Sequence, residues 1–159
     1  MRIRLAEPAD LEKVGELTVT AYEEFTEGPE DGYIDRLRDA AGRAREAELW
    51  LAEDAGQIVG TVTICPEDSP WREIGRPGEG EFRMLAVAPE ARGQGVGDAL
   101  VANTLRVLAE RGCTGVVLSS LEEMAAAHRL YGRHGFTRAP ERDWAPAPGV
   151  DLIAFYRSL

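Results

Sequence analysis

Hydrophobic residues recur along the chain with two different spacings. Alternating or short continuous apolar runs predict strands at 3–5, 49–53, 57–65, 81–87, 114–119, from 136 onward, and at 150–157. Apolar residues three to four positions apart predict a helix that begins at 8–10 and ends before Gly28 and Pro29. The same spacing predicts helices at 30–45, 98–108 and 122–134.

Two polar, proline-containing segments, 66–79 and 138–149, are predicted to be loops. Loops of this length in a compact domain are often functional. No repeat, linker or second set of elements appears, and 159 residues are enough for one hydrophobic core. We therefore expect one domain spanning residues 1–159.

Composition and charge narrow the class of protein. Hydrophobic residues make up 44% of the chain and charged residues 29%, as in soluble globular proteins. The net charge of −10 and the lack of a basic cluster disfavour nucleic-acid binding. No apolar run approaches the ~20 residues that a membrane helix needs, and no signal-peptide core is present, so we expect a cytoplasmic protein without membrane contacts. Cys65 and Cys113 are isolated, which predicts reduced thiols and no metal site.

The most informative stretch is a glycine-rich turn between a strand and a helix. The strand 81–87 is followed by Pro89, then by the turn 92–97, which reads Arg-Gly-Gln-Gly-Val-Gly, and then by helical spacing. Glycines allow unusual dihedral angles, and the first amides of a helix are free to bind an anion. The pattern lacks the spacing of a dinucleotide fingerprint and the Gly-Lys-Ser/Thr of a nucleotide-hydrolase loop.

The sequence Arg-x-x-Gly-x-Gly after Leu-Ala-Val-x-Pro resembles the acetyl-CoA pyrophosphate loop of the GNAT superfamily of N-acetyltransferases. The resemblance implies an α+β fold, a three-layer α-β-α sandwich whose mixed central sheet of about six or seven strands is flanked by about four helices. It also implies that the fourth and fifth strands are parallel and splay apart. The expected cosubstrate is acetyl-CoA, whose pantetheine arm would enter that gap.

The resemblance assigns coenzyme contacts to three groups of residues. The main chain of Leu85, Ala86 and Val87 would bond the pantetheine arm, and the Leu85 amide would also face the thioester oxygen. The turn would hold the pyrophosphate through Arg92, Gly93, Gln94, Gly95, Val96 and Gly97. Many family members have an asparagine at the position of Met124, so its polar contact is expected to be either lost or taken over by Ser119 or Ser120, and Ser119 is assigned to the coenzyme site.

Two residues are predicted to carry the chemistry. Strand alternation places Glu81, Arg83, Leu85 and Val87 on one face, and the resemblance makes Glu81 the general base. The alternative is a solvated strand carboxylate. Tyr131 matches the family tyrosine that protonates the coenzyme thiolate, and the alternative is a core tyrosine. His128 lies one turn before Tyr131 and is interpreted as a packed or solvated helix residue rather than a second proton carrier.

The acceptor site is the least defined. By resemblance it lies between the first two helices, the loop before the fourth strand and the loop before the last strand. The aromatic residues in those places are Tyr22, Phe25, Tyr33, Trp71 and Trp144. They would form either an apolar pocket wall or rim packing.

The predicted function is direct transfer of an acetyl group from acetyl-CoA to a primary amine. One alternative is a non-catalytic acyl-CoA-binding module, which would need neither Glu81 nor Tyr131. Another is an O-acetyltransferase, or an enzyme that uses a longer acyl-CoA. A monomer and a homodimer are both compatible with the sequence, and neither the acceptor nor its size class is defined by it.

Overall fold

A computed structural model describes all residues from 1 to 159 as eight strands and five helices. The strands are β1 (Arg2–Leu5), β2 (Glu48–Asp54), β3 (Gln57–Cys65), β4 (Glu79–Val87), β5 (Gly115–Leu121), β6 (Thr137–Arg138), β7 (Trp144–Ala147) and β8 (Val150–Ser158). The helices are α1 (Leu11–Tyr22), α2 (Tyr33–Arg38), α3 (Ala40–Glu46), α4 (Val96–Glu110) and α5 (Ala125–Arg133). None of the helices is long and apolar enough to cross a membrane.

The strands form one mixed sheet in the order β1-β2-β3-β4-β5-β8-β6, with β7 also pairing with β8. Every neighbouring pair is antiparallel except β4 and β5. Helices α1, α2 and α3 pack together, with α1 also on β3 and β4, whereas α4 packs on β2, β3 and β4. The predicted mixed sheet and layered α+β architecture are confirmed, with one helix and at least one short strand more than expected.

The segment predicted as one helix over 30–45 is two helices, and this prediction is wrong at its centre. The chain turns at Asp39, which has φ −77° and ψ 63°, and its carboxylate accepts a hydrogen bond from the Gly42 amide at 2.9 Å. Aspartate ends one helix and caps the next because its short side chain can replace a missing backbone partner. A Cβ on Gly15 would come within 2.4 Å of the Arg38 carbonyl oxygen, so α1 packs closely on the end of α2.

The segment 138–149 was predicted to be a loop throughout, and this is also wrong in part. It contains β7, which pairs with β8 between Trp144↔Leu152 and Ala147↔Val150. Arg138 holds the segment with two bonds to the Asp143 carboxylate, and Asp143 accepts the Ala154 amide at 2.8 Å. Proline is tolerated in β7 because this strand lies at an edge of the sheet.

Strands β4 and β5 pair over only three positions and then separate. The pairs are Glu79↔Gly115, Gly80↔Val116 and Glu81↔Val117, although β4 continues to Val87 and β5 to Leu121. This is the splay that the resemblance implied. The backbone of the second half of β4 is therefore left without a partner strand on the β5 side.

A bulge in β4 changes which side chains share a face. On β3, Thr61 and Thr63 are two residues apart, but their partners on β4, Ala86 and Arg83, are three apart. The extra residue lies at Met84, whose φ is +54°. One inserted residue interrupts the alternation, so the prediction that Glu81, Arg83, Leu85 and Val87 share a face is wrong.

Candidate active site

An open cleft of about 700 Å³ lies where β4 and β5 separate. Its walls are the end of β4, the glycine turn, the start of α4, the end of α1 and one side of α5. The predicted coenzyme residues that line it are Leu85, Ala86, Val87, Arg92, Gly93, Gly95, Val96, Gly97 and Tyr131. The cleft therefore brings together most of the coenzyme site that was expected from the sequence.

The glycine turn has the backbone geometry of an anion site. Gly93 and Gly95 have φ of +78° and +82°, and Gly95 is the N-cap of the 15-residue helix α4. Residues other than glycine rarely adopt these angles, which explains the glycines here. The free amides and the positive end of the α4 dipole lie at the cleft, where a phosphate is stabilised.

Two of the predicted coenzyme residues point elsewhere. The Gln94 side-chain amide donates to the Glu90 carbonyl at 3.4 Å, so only its backbone belongs to the turn. The Ser119 hydroxyl accepts a hydrogen bond from the Trp144 indole at 3.0 Å, and neither side chain lines the cleft. The structure therefore does not bring Ser119 to the coenzyme site or Trp144 to the acceptor side of the cleft. Met124 lies at the cleft wall, and its thioether sulfur accepts a hydrogen bond from the Ser120 hydroxyl at 3.7 Å.

Tyr131 packs in the core and also borders the cleft. Its ring packs edge-on against Phe82 and Phe136, with centroids 6.0 Å apart in both cases, so the ring belongs to the core. It also lines the cleft, and its hydroxyl makes no hydrogen bond within the protein. Burial raises the pKa of Tyr131 above its ordinary value, so the phenol is protonated at neutral pH and can donate.

Tyr22 and Phe25, assigned to the acceptor pocket, lie at the same cleft. The Tyr22 hydroxyl donates to the Leu85 carbonyl oxygen at 2.8 Å, on the unpaired half of β4. Burial raises the pKa of Tyr22 well above its ordinary value, and proximity to Tyr131 adds to this. The end of α1 therefore covers the point where the predicted acyl and acceptor sites meet.

Trp71 is buried, and it lines a separate cavity of about 340 Å³ beside α2 and α3 rather than the cleft. Its indole N–H donates to Glu46 at 3.2 Å, and the guanidinium groups of three arginines lie over its ring at 4.7 to 5.8 Å; these are Arg36, Arg43 and Arg83. Tyr33, in contrast, is exposed, and its hydroxyl accepts a hydrogen bond from Arg83 at 3.2 Å. Of the five aromatic residues assigned to the acceptor pocket, Tyr22 and Phe25 therefore line the cleft, whereas Tyr33, Trp71 and Trp144 do not.

Glu81 is completely buried, with 0% exposure, and it does not line the cleft. Its carboxylate accepts three backbone N–H bonds, from Glu73 at 3.0 Å, Ile74 at 3.1 Å and Gly75 at 2.7 Å. Burial raises its pKa, and the three amides act in the opposite direction. This geometry favours an anchoring role over the predicted role as general base, which needs a carboxylate that can reach the amine or a water molecule.

The loop between β3 and β4 presents a carboxylate that the sequence analysis missed. Glu73 lies 3.5 Å from the Arg83 guanidinium, and its side chain is 17% exposed. No periodicity or motif marks a glutamate within an irregular loop, so no signal in the sequence singled it out. Its relation to Glu81 becomes visible only when the loop is folded back onto β4.

His128 is packed, as the sequence analysis interpreted it. Its Nε2 lies 3.0 Å from both the Ser120 hydroxyl and the Leu121 carbonyl oxygen, and its ring lies 4.9 Å from that of Phe155. The ring does not line the cleft, and burial lowers its pKa. A proton-carrying role for His128 has no support in this arrangement.

The chain belongs to the acetyltransferase (GNAT) family. The family's model matches residues 12–136, which run from α1 to the residue before β6 and include the glycine turn and Tyr131. The splayed strands and the anion site are therefore the family features that the motif implied.

Individual relatives agree with this assignment. A mycothiol acetyltransferase from Cellulomonas flavigena is 36% identical over 145 residues, a match that covers 81% of this chain and 41% of the relative. The chain thus spans about two fifths of the length of that protein. A ribosomal-protein-alanine N-acetyltransferase from Brucella melitensis superposes over 100% of both chains with a TM-score of 0.74 and 24% identity. An acetyltransferase from Bacillus subtilis, solved in complex with CoA, covers 99% of this chain and 98% of its own with a TM-score of 0.70 and 17% identity.

Arg142 links the segment 138–149 to the loop 66–78 and to the start of β4. Its loss is expected to destabilise the protein. Its guanidinium binds the Glu79 carboxylate at 2.8 and 2.9 Å and the Ile74 carbonyl at 2.7 Å, with a side chain that is 6% exposed. Arg142→Met leaves the Ile74 carbonyl without a donor and the Glu79 carboxylate with only the Arg76 amide, so the free energy of unfolding is expected to fall by about 2–3 kcal/mol. Urea denaturation measures this change.

The matched control is Arg129→Met, because Arg129 is exposed and makes no hydrogen bond or ion pair with another side chain. Its substitution is expected to change stability by less than about 0.5 kcal/mol. Equal effects of the two variants would show that the Arg142 contacts contribute nothing beyond a surface arginine.

Proposed function

We propose that this protein transfers the acetyl group of acetyl-CoA directly to a primary amine. The observation that carries the proposal is the cleft itself. One cavity of about 700 Å³ is bordered by an anion site at the α4 N-terminus, by unpaired backbone of β4 and by the hydroxyl of Tyr131. These three features match the three parts of the cosubstrate, which are a pyrophosphate, an amide-containing arm and a thioester.

Each wall of the cleft would make a different contribution. The turn from Arg92 to Gly97 would bind the pyrophosphate through its amides. The free edge of β4 at Leu85 and Val87 would bond the pantetheine amides as a strand bonds its neighbour. An amide of β4 near the thioester oxygen would stabilise the negative charge that develops there during attack.

Tyr131 would complete the reaction by protonating the sulfur that leaves. Its hydroxyl has no competing partner in the protein, and its raised pKa keeps the proton available at neutral pH. The acceptor would enter from the side of α1 and α2, where Tyr22, Phe25 and Tyr33 lie. The surface charge of −10 suits an acceptor that arrives as a cation.

A non-catalytic acyl-CoA-binding module is the second candidate, and one observation favours it. Glu81, the base expected from the resemblance, is sealed by three backbone amides. A module that only senses the coenzyme would need the anion site and the β4 edge but no base. The free hydroxyl of Tyr131 in the cleft favours the enzyme.

An amine panel separates the two candidates. Release of free coenzyme thiol from acetyl-CoA is followed with primary amines of different size and charge, and with alcohols of matched shape. We expect thiol release that depends on an amine and exceeds background hydrolysis. Coenzyme binding by calorimetry without any acceptor-dependent release would instead identify the binding module.

A further inference from the structure

The backbone of the loop 66–78 is held by hydrogen bonds to charged side chains, and Trp71 of this loop is packed in the core. Glu81 accepts the amides of residues 73–75, and Arg142 donates to the Ile74 carbonyl. Arg72 donates to the carbonyls of Cys65, Arg76 and Glu79. This network fixes the position of the loop, because hydrogen bonds tolerate only small changes in distance and angle. A functional group on such a loop is held in place before the substrate binds.

The side chain that this network presents is that of Glu73. The Glu73 amide is bonded directly to the Glu81 carboxylate, while the Glu73 carboxylate extends to Arg83 and remains partly exposed. Arg83 in turn contacts the Tyr33 hydroxyl, on the surface where the acceptor is expected. The buried Glu81 carboxylate therefore supports the loop, and the partly exposed Glu73 carboxylate lies beside Arg83.

We propose that Glu73 takes the proton from the acceptor amine and that Glu81 is the residue that positions it. This inference rests on the proposed acetyl transfer. The sequence analysis assigned the proton transfer to Glu81 on β4. Here Glu73 in the loop accepts the proton, and Glu81 acts only by holding Glu73 in position.

Glu73 does not line the cleft, and Arg83 connects it to residues that do. Arg83 precedes Leu85 on β4 by two residues, across the bulge at Met84. The Leu85 carbonyl is bonded to Tyr22, which lines the cleft. Bridging water molecules would carry the proton from the amine to the Glu73 carboxylate.

The charges that face Glu73 leave it able to accept a proton. Burial raises the pKa of the Glu73 carboxyl, and the charge of Glu81 on β4 acts in the same direction. Arg83 on β4 and Arg36 on α2 act against this shift. A carboxylate with a raised pKa is a stronger base than an ordinary surface glutamate.

The proton balance of the transfer is complete with these residues. The ammonium loses one proton to Glu73, which passes it to solvent. The neutral nitrogen forms the C–N bond, and the C–S bond breaks with its electron pair on sulfur. The nitrogen loses a second proton to solvent, the sulfur gains one from Tyr131, and Tyr131 is reprotonated from solvent. One amide, one thiol and one net proton result.

The test compares pH–rate profiles of the wild type, Glu73→Gln, Glu81→Gln and the control Glu53→Gln, using an acceptor found with the panel. Glu53 is a matched control because it is also a partly buried carboxylate paired with an arginine, at 2.9 Å from Arg4, but it lies on β2 away from the cleft. Glu73→Gln is expected to lower kcat by about 10²-fold near neutral pH. The deficit should shrink at higher pH, where the amine is already neutral.

In the wild type, kcat is expected to fall as the pH drops through the raised pKa of Glu73, because only the ionised carboxylate accepts a proton. The Glu73→Gln variant should lose this fall in kcat at low pH. The Glu81→Gln variant should move the fall to a different pH, because it displaces Glu73. Coenzyme affinity should stay unchanged in Glu73→Gln, and Glu53→Gln should keep the wild-type kcat and profile.

Three results would overturn the inference. A Glu73→Gln variant with the kcat and acidic limb of the wild type would show that Glu73 only forms an ion pair with Arg83. A higher KM with unchanged kcat would show that it attracts a cationic acceptor and takes no proton. A wild-type protein that binds acetyl-CoA but acetylates no amine would overturn the proposed function itself. An active wild type with an unaffected Glu73→Gln variant would overturn only the role of Glu73.

Discussion

The Gly95→Glu variant is expected to lose about 100-fold or more in affinity for acetyl-CoA, because like charges in a binding site cost several kcal/mol. Gly95 is the N-cap of α4, and a Cβ at this position would meet no atom within 4 Å. The new carboxylate would therefore fit, but it would occupy the space where the amides of the turn face a phosphate. Isothermal titration calorimetry with acetyl-CoA measures the change in Kd.

The substitution also places a side chain at a φ of +82°, so its backbone cost must be separated from its charge. Gly56→Glu is the matched control. Gly56 has φ +78° in the turn between β2 and β3, with no atom within 4 Å of a Cβ and no contact with the cleft. The two variants should lose similar stability, and only Gly95→Glu should lose affinity. Wild-type affinity in a folded Gly95→Glu protein would mean that the turn does not bind the coenzyme.

The Tyr131→Phe variant is expected to lower kcat by about 10²- to 10⁴-fold, the usual range for general acid catalysis. The ring contacts with Phe82 and Phe136 are kept, because phenylalanine retains the edge-on packing. Only the hydroxyl is lost, and that hydroxyl has no partner in the protein. Steady-state kinetics with the acceptor from the panel, together with calorimetry, measures turnover and coenzyme affinity separately.

Tyr156→Phe controls for the removal of a phenol elsewhere in the sheet. Tyr156 lies on β8, opposite Val117, and it does not line the cleft. Its variant should keep the wild-type kcat, whereas Tyr131→Phe should lose turnover at unchanged coenzyme affinity. If Tyr131→Phe turned over as fast as the wild type, Tyr131 would be a core residue without a role in proton transfer.

The parts of the site that were predicted from the sequence are local in the chain. Arg92, Gly93, Gly95 and Gly97 follow a strand and open a helix, so their spacing alone indicated an anion site. Tyr131 was found through the short motif around it. Asp39 also carried a local signal, since an aspartate three residues before Gly42 is a normal helix cap, but the longer helical spacing of 30–45 obscured it.

The parts that were missed depend on contacts between distant segments. The bulge at Met84 has no marker in the sequence, because methionine is not a typical residue at positive φ, and only the pairing with β3 reveals it. The burial of Glu81 depends on the loop 73–75 folding back over β4. A polar residue on a strand is expected to face solvent, so the alternation alone gave no reason to bury this carboxylate.

The way the loop 66–78 is held has a consequence for how acceptor preference can change over evolution. Its anchors, Glu81, Arg142 and Arg72, bind backbone amides and carbonyls, so the side chains of Ile74 and Arg76 are not needed to keep its shape. Gly75 is the exception, because a Cβ there would come within 2.4 Å of the Arg72 guanidinium. Under the proposed function, substitutions at 74 and 76 would vary the surface next to Glu73 on an unchanged scaffold, and a directed library at these two positions would test whether they alter acceptor selectivity.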